Sequence, residues 1–307
     1  MTGYVVRRVL RALTTLLGAT LIIFVLVRVV PADPAVTIAG PKADPETLAA
    51  IRKDLGLDDP VAVQYGRYLA RLAHADLGRS YMTGRRVADV IAERVPATAL
   101  LAATSLAIGF FFGLALGIAT AARRGSLIDV AVLLGTLIGL SIPGFWLGNV
   151  LIYEFSYRLK LLPLGGYGTW RHLILPATTL AIGEFLFYTR FVHTNVGGTL
   201  ASDYIRTARA KGAPPARIYF VHALRNALIP IVTGFPAAFI GAFFTGSLLI
   251  ETLFSLDGLG LLSYDSVIRR DYPVVLGTLY LFTLIGLVTK LVSDLCYVWV
   301  DPRVRFD

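Results

Sequence analysis

Six apolar runs, near 9–30, 97–121, 128–156, 173–195, 226–250 and 274–299, decide what this chain can become. Each is long enough, at ~1.5 Å per helical residue, to cross a hydrocarbon layer of ~30 Å. Charged residues make up only 16% of the sequence, against about 25% in a soluble domain. Mean hydropathy is +0.69. The expected fold class is therefore an all-α polytopic membrane protein with six transmembrane helices.

Basic residues set the expected topology, because Lys and Arg are retained on the cytoplasmic side of short loops. Arg7, Arg8 and Arg11 place the N-terminus inside, and the apolar run after them exceeds the ~7–15 residues of a cleaved signal peptide. Arg123 and Arg124 close the second span, and Arg303 and Arg305 follow the sixth. Both termini are expected to be cytoplasmic. The outer loop 157–172 also carries Arg158, Lys160 and Arg171, but the other loops outvote it. The expected division is a first transmembrane helix (1–30), an extracytoplasmic helical loop (31–96), a core (97–299) holding a cytoplasmic loop at 200–225, and a cytoplasmic tail (300–307).

The loop 31–96 carries two helix-start signals. Asp44-Pro45-Glu46 offers an N-cap followed by proline at the first helical position, and Asp59-Pro60 repeats the device. Val63, Leu69 and Leu72 give the second helix an apolar face. Within the spans, Gly109, Gly113 and Gly117 recur every four residues, as do Gly135 and Gly139. Small residues at that spacing let helix backbones approach closely in lipid. Pro143-Gly144 should break the third span, since proline removes a backbone donor and clashes with the preceding turn.

The chemistry that is missing narrows the function. No phosphate-binding G-x-x-x-x-G-K-[ST] occurs, and neither does H-E-x-x-H or G-x-S-x-G. The single cysteine, Cys296, can form neither an intrachain disulfide nor a zinc site. His74, His172, His193 and His222 are scattered and read as loop or interfacial residues. No catalytic residue, metal site or bound cofactor is expected. The net charge of +9 reads as cytoplasmic loop anchoring, and no nucleic-acid-binding motif accompanies it. Charges within spans are rare and default to functional candidates. Glu184 in span four is the candidate for an aqueous path, with Asn149 and Glu154 of span three as further substrate-path candidates.

One inside segment is left to explain. "SDYIRTARAKGAPPARIYFVHALRNALIP" (202–230) holds five basic residues and a single acid, Asp203. Asp203 can cap a short helix, Gly212 can stop it, and Pro214-Pro215 can start a second one. Phe220, Leu224, Ala227 and Ile231 form the expected apolar stripe of that second helix. Positive-inside topology explains the charge but not this punctuation. A helix, a tight turn and a second helix make a knob suited to a partner's groove.

The segment resembles the coupling loop of ABC-importer permeases, whose pattern is EAA-x3-G-x9-I-x-L-P. Gly212 matches the glycine, Ala208 the second alanine and Leu224 the leucine. Arg206 stands at the glutamate, Thr207 at the first alanine, His222 at the isoleucine and Arg225 at the proline. "YIRTARAKG" followed by "HALRNALIP" is similar to the variant in the dipeptide and oligopeptide permease family. "LGLDDP" (55–60), "ADLGRSYMTGRRVADVIAERVPATA" (75–99), "LPLGG" (162–166), "HLILPATTLA" (172–181), "DGLGLLSYDSVIRRDYPVV" (257–275) and "DPRVRF" (301–306) extend that resemblance along most of the chain. The stretch 234–262 further resembles the Yej branch, which imports oligopeptides and microcin C-type antibiotics.

The resemblance implies a type I, MetI-like permease fold over 97–299 and a multi-pass place in the bacterial inner membrane. It implies a second homologous permease subunit, two ATPase subunits that hold ATP and magnesium, and an extracytoplasmic peptide-binding protein. Arg206, Thr207, Ala208, Arg209, Lys211, Gly212, His222, Arg225 and Asn226 would form the docking element. Gly109, Gly113, Gly117, Pro143 and Gly144 would shape helix packing. The implied cargo is a di- or oligopeptide; a nickel chelate or glutathione is the alternative within the family. An ATP-independent channel or carrier would not need the shaped loop, and a membrane enzyme or scaffold would lack its catalytic groups.

Overall fold

The computed structural model describes residues 2–29, 33–40 and 42–300. Helix α1 (Thr2–Val29) carries the first apolar run, and three short helices follow: α2 (Pro34–Ala39), α3 (Pro45–Leu55) and α4 (Val61–Ala73). Next come α5 (Val87–Ala122), α6 (Leu127–Leu140) and α7 (Gly144–Leu151), which runs on through a π-helical stretch, Ile152–Arg158. Helix α8 (Trp170–Leu200) leads to the short α9 (Asp203–Ala210). Then α10 (Pro215–Arg217), a π-helical stretch (Ile218–Ala223) and α11 (Leu224–Gly241) form one line. After a further π-helical stretch (Ala242–Gly246) come α12 (Ser247–Leu253), α13 (Leu259–Ile268) and α14 (Tyr272–Val300). Among the described residues there is no strand, only one antiparallel bridge between Arg79 and Arg86.

Helices occupy all six apolar runs. Helix α5 and the segment Tyr272–Asp294 of α14 are each long and apolar enough to cross a membrane. Helix α5 has 36 residues, about 54 Å of helix, so it outlasts a ~30 Å hydrocarbon layer. Its first turns, with Asp89, Glu93 and Arg94, are the part too polar for lipid. The expected break at Pro143-Gly144 is there: α6 ends at Leu140, α7 begins at Gly144, and the two are bent by 94°. Arg303 and Arg305, on which the cytoplasmic C-terminus was argued, lie outside the described residues.

The chain forms two compact units. One comprises Met1–Pro96 and Asp257–Val288. In it Asp44 caps α3 as expected, its Oδ1 accepting the Thr47 N–H at 2.7 Å. That bond holds the Asp44 carboxyl below its ordinary value. Asp59 does not repeat the device. Pro60 is the N-cap of α4, and Asp59 Oδ2 instead accepts from Arg67 at 2.7 Å. Nor is Val63 on the packed face, since it is 49% exposed. Tyr65 and Tyr68 take that place, their ring centroids 5.4 and 6.0 Å from Phe24 of α1. At the other end, Asp271 is buried and its Oδ1 accepts the Tyr81 N–H at 2.9 Å while its Oδ2 accepts the Ser80 hydroxyl at 2.5 Å.

The other unit comprises Ala97–Leu256 and Thr289–Asp307. Its centre is α8, against which α6, α7, α11 and α12 pack. The glycine ladder of α5 faces α8. A Cβ on Gly113 would lie 2.7 Å from the Tyr188 Cβ and 2.9 Å from the Phe185 carbonyl oxygen. One on Gly117 would lie 2.7 Å from the Val192 Cβ. Gly135 differs: nothing lies within 4 Å of the Cβ it lacks. One apolar core gathers Leu106, Val192, Val196, Ile205, Ile218 and Ala223. A second gathers Ala97, Leu101, Leu175, Ile250, Phe254 and Leu256.

Candidate functional site

The basic segment is an anchored knob. Helix α9 begins at Asp203 with Ser202 as its N-cap, so Asp203 is the first helical residue and not the cap. Its carboxylate accepts from Arg206 at 3.3 Å. The helix stops in a Schellman turn: Gly212 N donates to Arg209 O at 2.9 Å and Ala213 N to Ala208 O at 3.1 Å. Gly212 has φ +79°, the left-handed conformation that glycine adopts without strain. Pro214 then caps α10, with Pro215 at its first position.

Burial fixes which face of the knob is free. Ile205 is fully buried against Val196, Ile218 and Ala223. Burying such a side chain contributes about 1.5–3 kcal/mol. Ala208 is half-buried beside it, while Arg206, Thr207, Arg209, Lys211 and Gly212 are exposed. The expected stripe of the second helix is corrected at one end. Phe220 is 60% exposed, and Ile218, Ala223 and Ala227 are the packed residues. The cause is the π-helical stretch Ile218–Ala223, which inserts one residue per turn and brings i and i+5 to one face. His222 is half-buried on it. Arg225 and Asn226 belong to α11, and their side chains, like that of Ile231, lie outside the described residues.

A cavity of about 590 Å³ opens between α6, α8 and α11. Glu184 lines it, together with Tyr188 and the apolar side chains Leu140, Phe187, Phe191 and Ala238. The other two substrate-path candidates lie apart from it. Asn149 Nδ2 donates to Phe145 O at 2.9 Å within its own helix, and Glu154 accepts from Arg158 one turn on at 3.1 Å. Gly144 has open space where a side chain would be. Among the described residues no group of three His, Cys, Asp or Glu could hold a metal.

The whole chain matches proteins of one kind. Residues 113–306 match the family "Binding-protein-dependent transport system inner membrane component", and residues 1–102 match its N-terminal companion. The chain belongs to this family. It is thus an inner-membrane permease of the ABC-importer type, a component that works with a substrate-binding protein and an ATPase and is not itself an ATPase. A Brucella abortus (strain 2308) protein provisionally named a peptide transport system permease is 38% identical over 315 residues, covering 100% of both chains. The glutathione transport system permease protein GsiC of Salmonella paratyphi A is 39% identical over 306 residues, again covering 100% of both. In fold, a chain of the MetNI methionine ABC transporter in an inward-facing conformation aligns with TM-score 0.57 and 21% identity, over 69% of this chain and 96% of that one.

Three buried polar pairs in this permease were not foreseen from the sequence. Thr98 donates to Glu251 at 2.6 Å, and both are fully buried. His193, read as a loop or interfacial residue, is instead buried 2.8 Å from Asp129. Ser80 meets Asp271. An acid inside an apolar run, as in LLIETLF, is the signal that could have exposed Glu251. The other two pairs join residues far apart in sequence, with no periodicity to link them.

Proposed function

We propose that this chain is the permease subunit of an ATP-driven importer of short peptides. It crosses the inner membrane six times, with both termini cytoplasmic and the loop 31–96 outside. It pairs with a second homologous permease, beneath which two ATPase subunits bind and hydrolyse magnesium-ATP. A binding protein delivers peptide from outside. The observation that carries the reading is the knob itself: α9, pinned by Ile205 and stopped at Gly212, presents Arg206, Arg209 and Lys211 outward. These cations suit acidic or carbonyl groups on an ATPase, and Arg225 and Asn226 would extend the same surface. A helix so anchored passes ATPase closure to α8 and α11, the elements it joins, and both sites then bias one two-state bundle.

Peptide as cargo is supported by the full-length likeness to the Brucella protein, and glutathione, itself a tripeptide, by the equal likeness to the Salmonella protein. The chain is purified with its genomic neighbours, reconstituted in vesicles, and given labelled di-, oligopeptides and glutathione. ATP-dependent uptake of peptide is expected. Absence of an ATPase partner and of ATP-driven uptake overturns the reading.

A further inference from the structure

The cavity between α6, α8 and α11 holds a carboxylate that no described side chain neutralises. Glu184 has no hydrogen-bond or ion-pair partner among the described contacts, and it stands in walls made by Leu140, Phe187, Phe191, Pro230 and Ala238. A carboxylate left in such surroundings is costly unless a counter-charge arrives. Four residues on, on the same helix face, Tyr188 borders the same cavity, but its hydroxyl is buried and presents no accessible surface to it, so Glu184 is the polar group there. Glu184 is also held firmly, since its Cβ lies directly against Gly109, where α5 and α8 come together.

We propose that this cavity receives the terminal ammonium group of a peptide, with the Glu184 carboxylate as its counter-ion. The proposal rests on the peptide-importer reading and names the part of the peptide that is recognised. Several features select this ligand. A volume near 590 Å³ falls within the ~300–1,000 Å³ of small-molecule sites. One carboxylate is too few for a metal ion, which needs several such ligands. A peptide's carboxylate end is repelled by Glu184, whereas its ammonium end is attracted. The rings of Phe187 and Phe191, stacked with centroids 5.7 Å apart, offer apolar faces to the adjoining side chain and a favourable field to a cation.

The test uses the purified complex of this chain with its partner subunits, without the binding protein. Equilibrium dialysis compares Leu-Leu-amide, which carries only the ammonium charge, with N-acetyl-Leu-Leu-amide, which carries none. The unsubstituted complex should bind the charged amide at least about tenfold more tightly than the acetylated one, the worth of a hydrogen bond to a charged group. Glu184→Gln should erase that preference, and Glu184→Asp should retain part of it. Three results overturn the site: no binding by the unsubstituted complex, an equal preference in Glu184→Gln, or loss of the partner permease on substitution, which would make Glu184 an interface residue. Uptake by the same unsubstituted complex in vesicles reports separately on the importer reading. A complex that binds the charged amide selectively yet moves no peptide keeps this site and loses that reading.

Discussion

Asp129 Oδ1 lies 2.8 Å from His193 Nε2, and both side chains are less than one-tenth exposed. The contact joins the first turn of α6 to α8, the helix that runs on into the basic knob. The two atoms face each other off the ideal hydrogen-bond direction and have no other partner. Asp129 is fixed independently. Its Oδ2 accepts the Gly125 N–H at 2.9 Å, and its own N–H donates to the Ser126 cap at 3.2 Å. The helix N-terminus there favours a negative charge. His193→Ala should therefore leave a buried acid unmatched and cost about 1–3 kcal/mol. Thermal unfolding of the purified complex measures it, and an unchanged midpoint would show that the contact is idle.

The glycines of α5 and α6 separate packing from mere occurrence. Gly113→Ala places a Cβ against Tyr188 and Phe185, so the helices must part or strain, at about 1–3 kcal/mol. Gly135→Ala meets nothing within 4 Å and should be neutral or stabilising by up to about 1 kcal/mol, the helix propensity of alanine over glycine. Equal losses at both positions in a thermal-shift series would refute the α5–α8 contact.

Asp271 holds the turn at Ser80 and Tyr81 from a position nearly two hundred residues away in sequence. Asp271→Ala should leave the buried Ser80 O–H and the Tyr81 N–H without their acceptor, each about 1–3 kcal/mol, although the Ser80 oxygen still accepts the Thr83 N–H at 3.0 Å. Limited proteolysis should then cut within 76–86 much faster than in the unsubstituted chain. Unchanged cleavage would mean that the turn stands on its own.

Acid should loosen α2 and α3 before the spans. Arg52 donates to Asp33 through Nε at 2.8 Å, and this bond holds the Asp33 carboxyl below its ordinary value of 3.8. A lowered folded-state value stabilises the pair above the ordinary value. That contribution fades as pH falls through the lowered one. The protection factors for hydrogen exchange over 33–55, which divide out the intrinsic pH dependence, should thus be flat from neutral pH down to the carboxylate range and fall below it. In Arg52→Ala the same fall should begin at higher pH, and an unshifted profile would remove Arg52 as the cause.

Much of this was legible in the residues because it was local. The Asp44 cap, the break at Pro143-Gly144 and the stop at Gly212 each follow from one or two residues whose backbone chemistry leaves little choice. The misplaced stripe at Phe220 has a different origin. A π-helical turn shifts the face by one residue, and no composition rule announces it. The pairs Thr98–Glu251, Asp129–His193 and Ser80–Asp271 are products of tertiary packing. Glu184 stood out in the sequence as a rare intramembrane acid, yet the cavity around it needed α6 and α11 in place.

The central claim is that the knob around Gly212 couples this permease to an ATPase. ATP-driven peptide uptake by reconstituted vesicles tests it in two variants. Gly212→Pro removes the N–H that donates to Arg209 and forbids the +79° φ, so it dismantles the turn. Arg209→Glu with Lys211→Glu reverses the exposed charge and leaves the Ile205 anchor alone. Both should abolish uptake and release the ATPase subunits, while the thermal unfolding of the Arg209→Glu/Lys211→Glu chain stays unchanged. Uptake at the unsubstituted rate in both variants, with the ATPases still bound, would contradict the account.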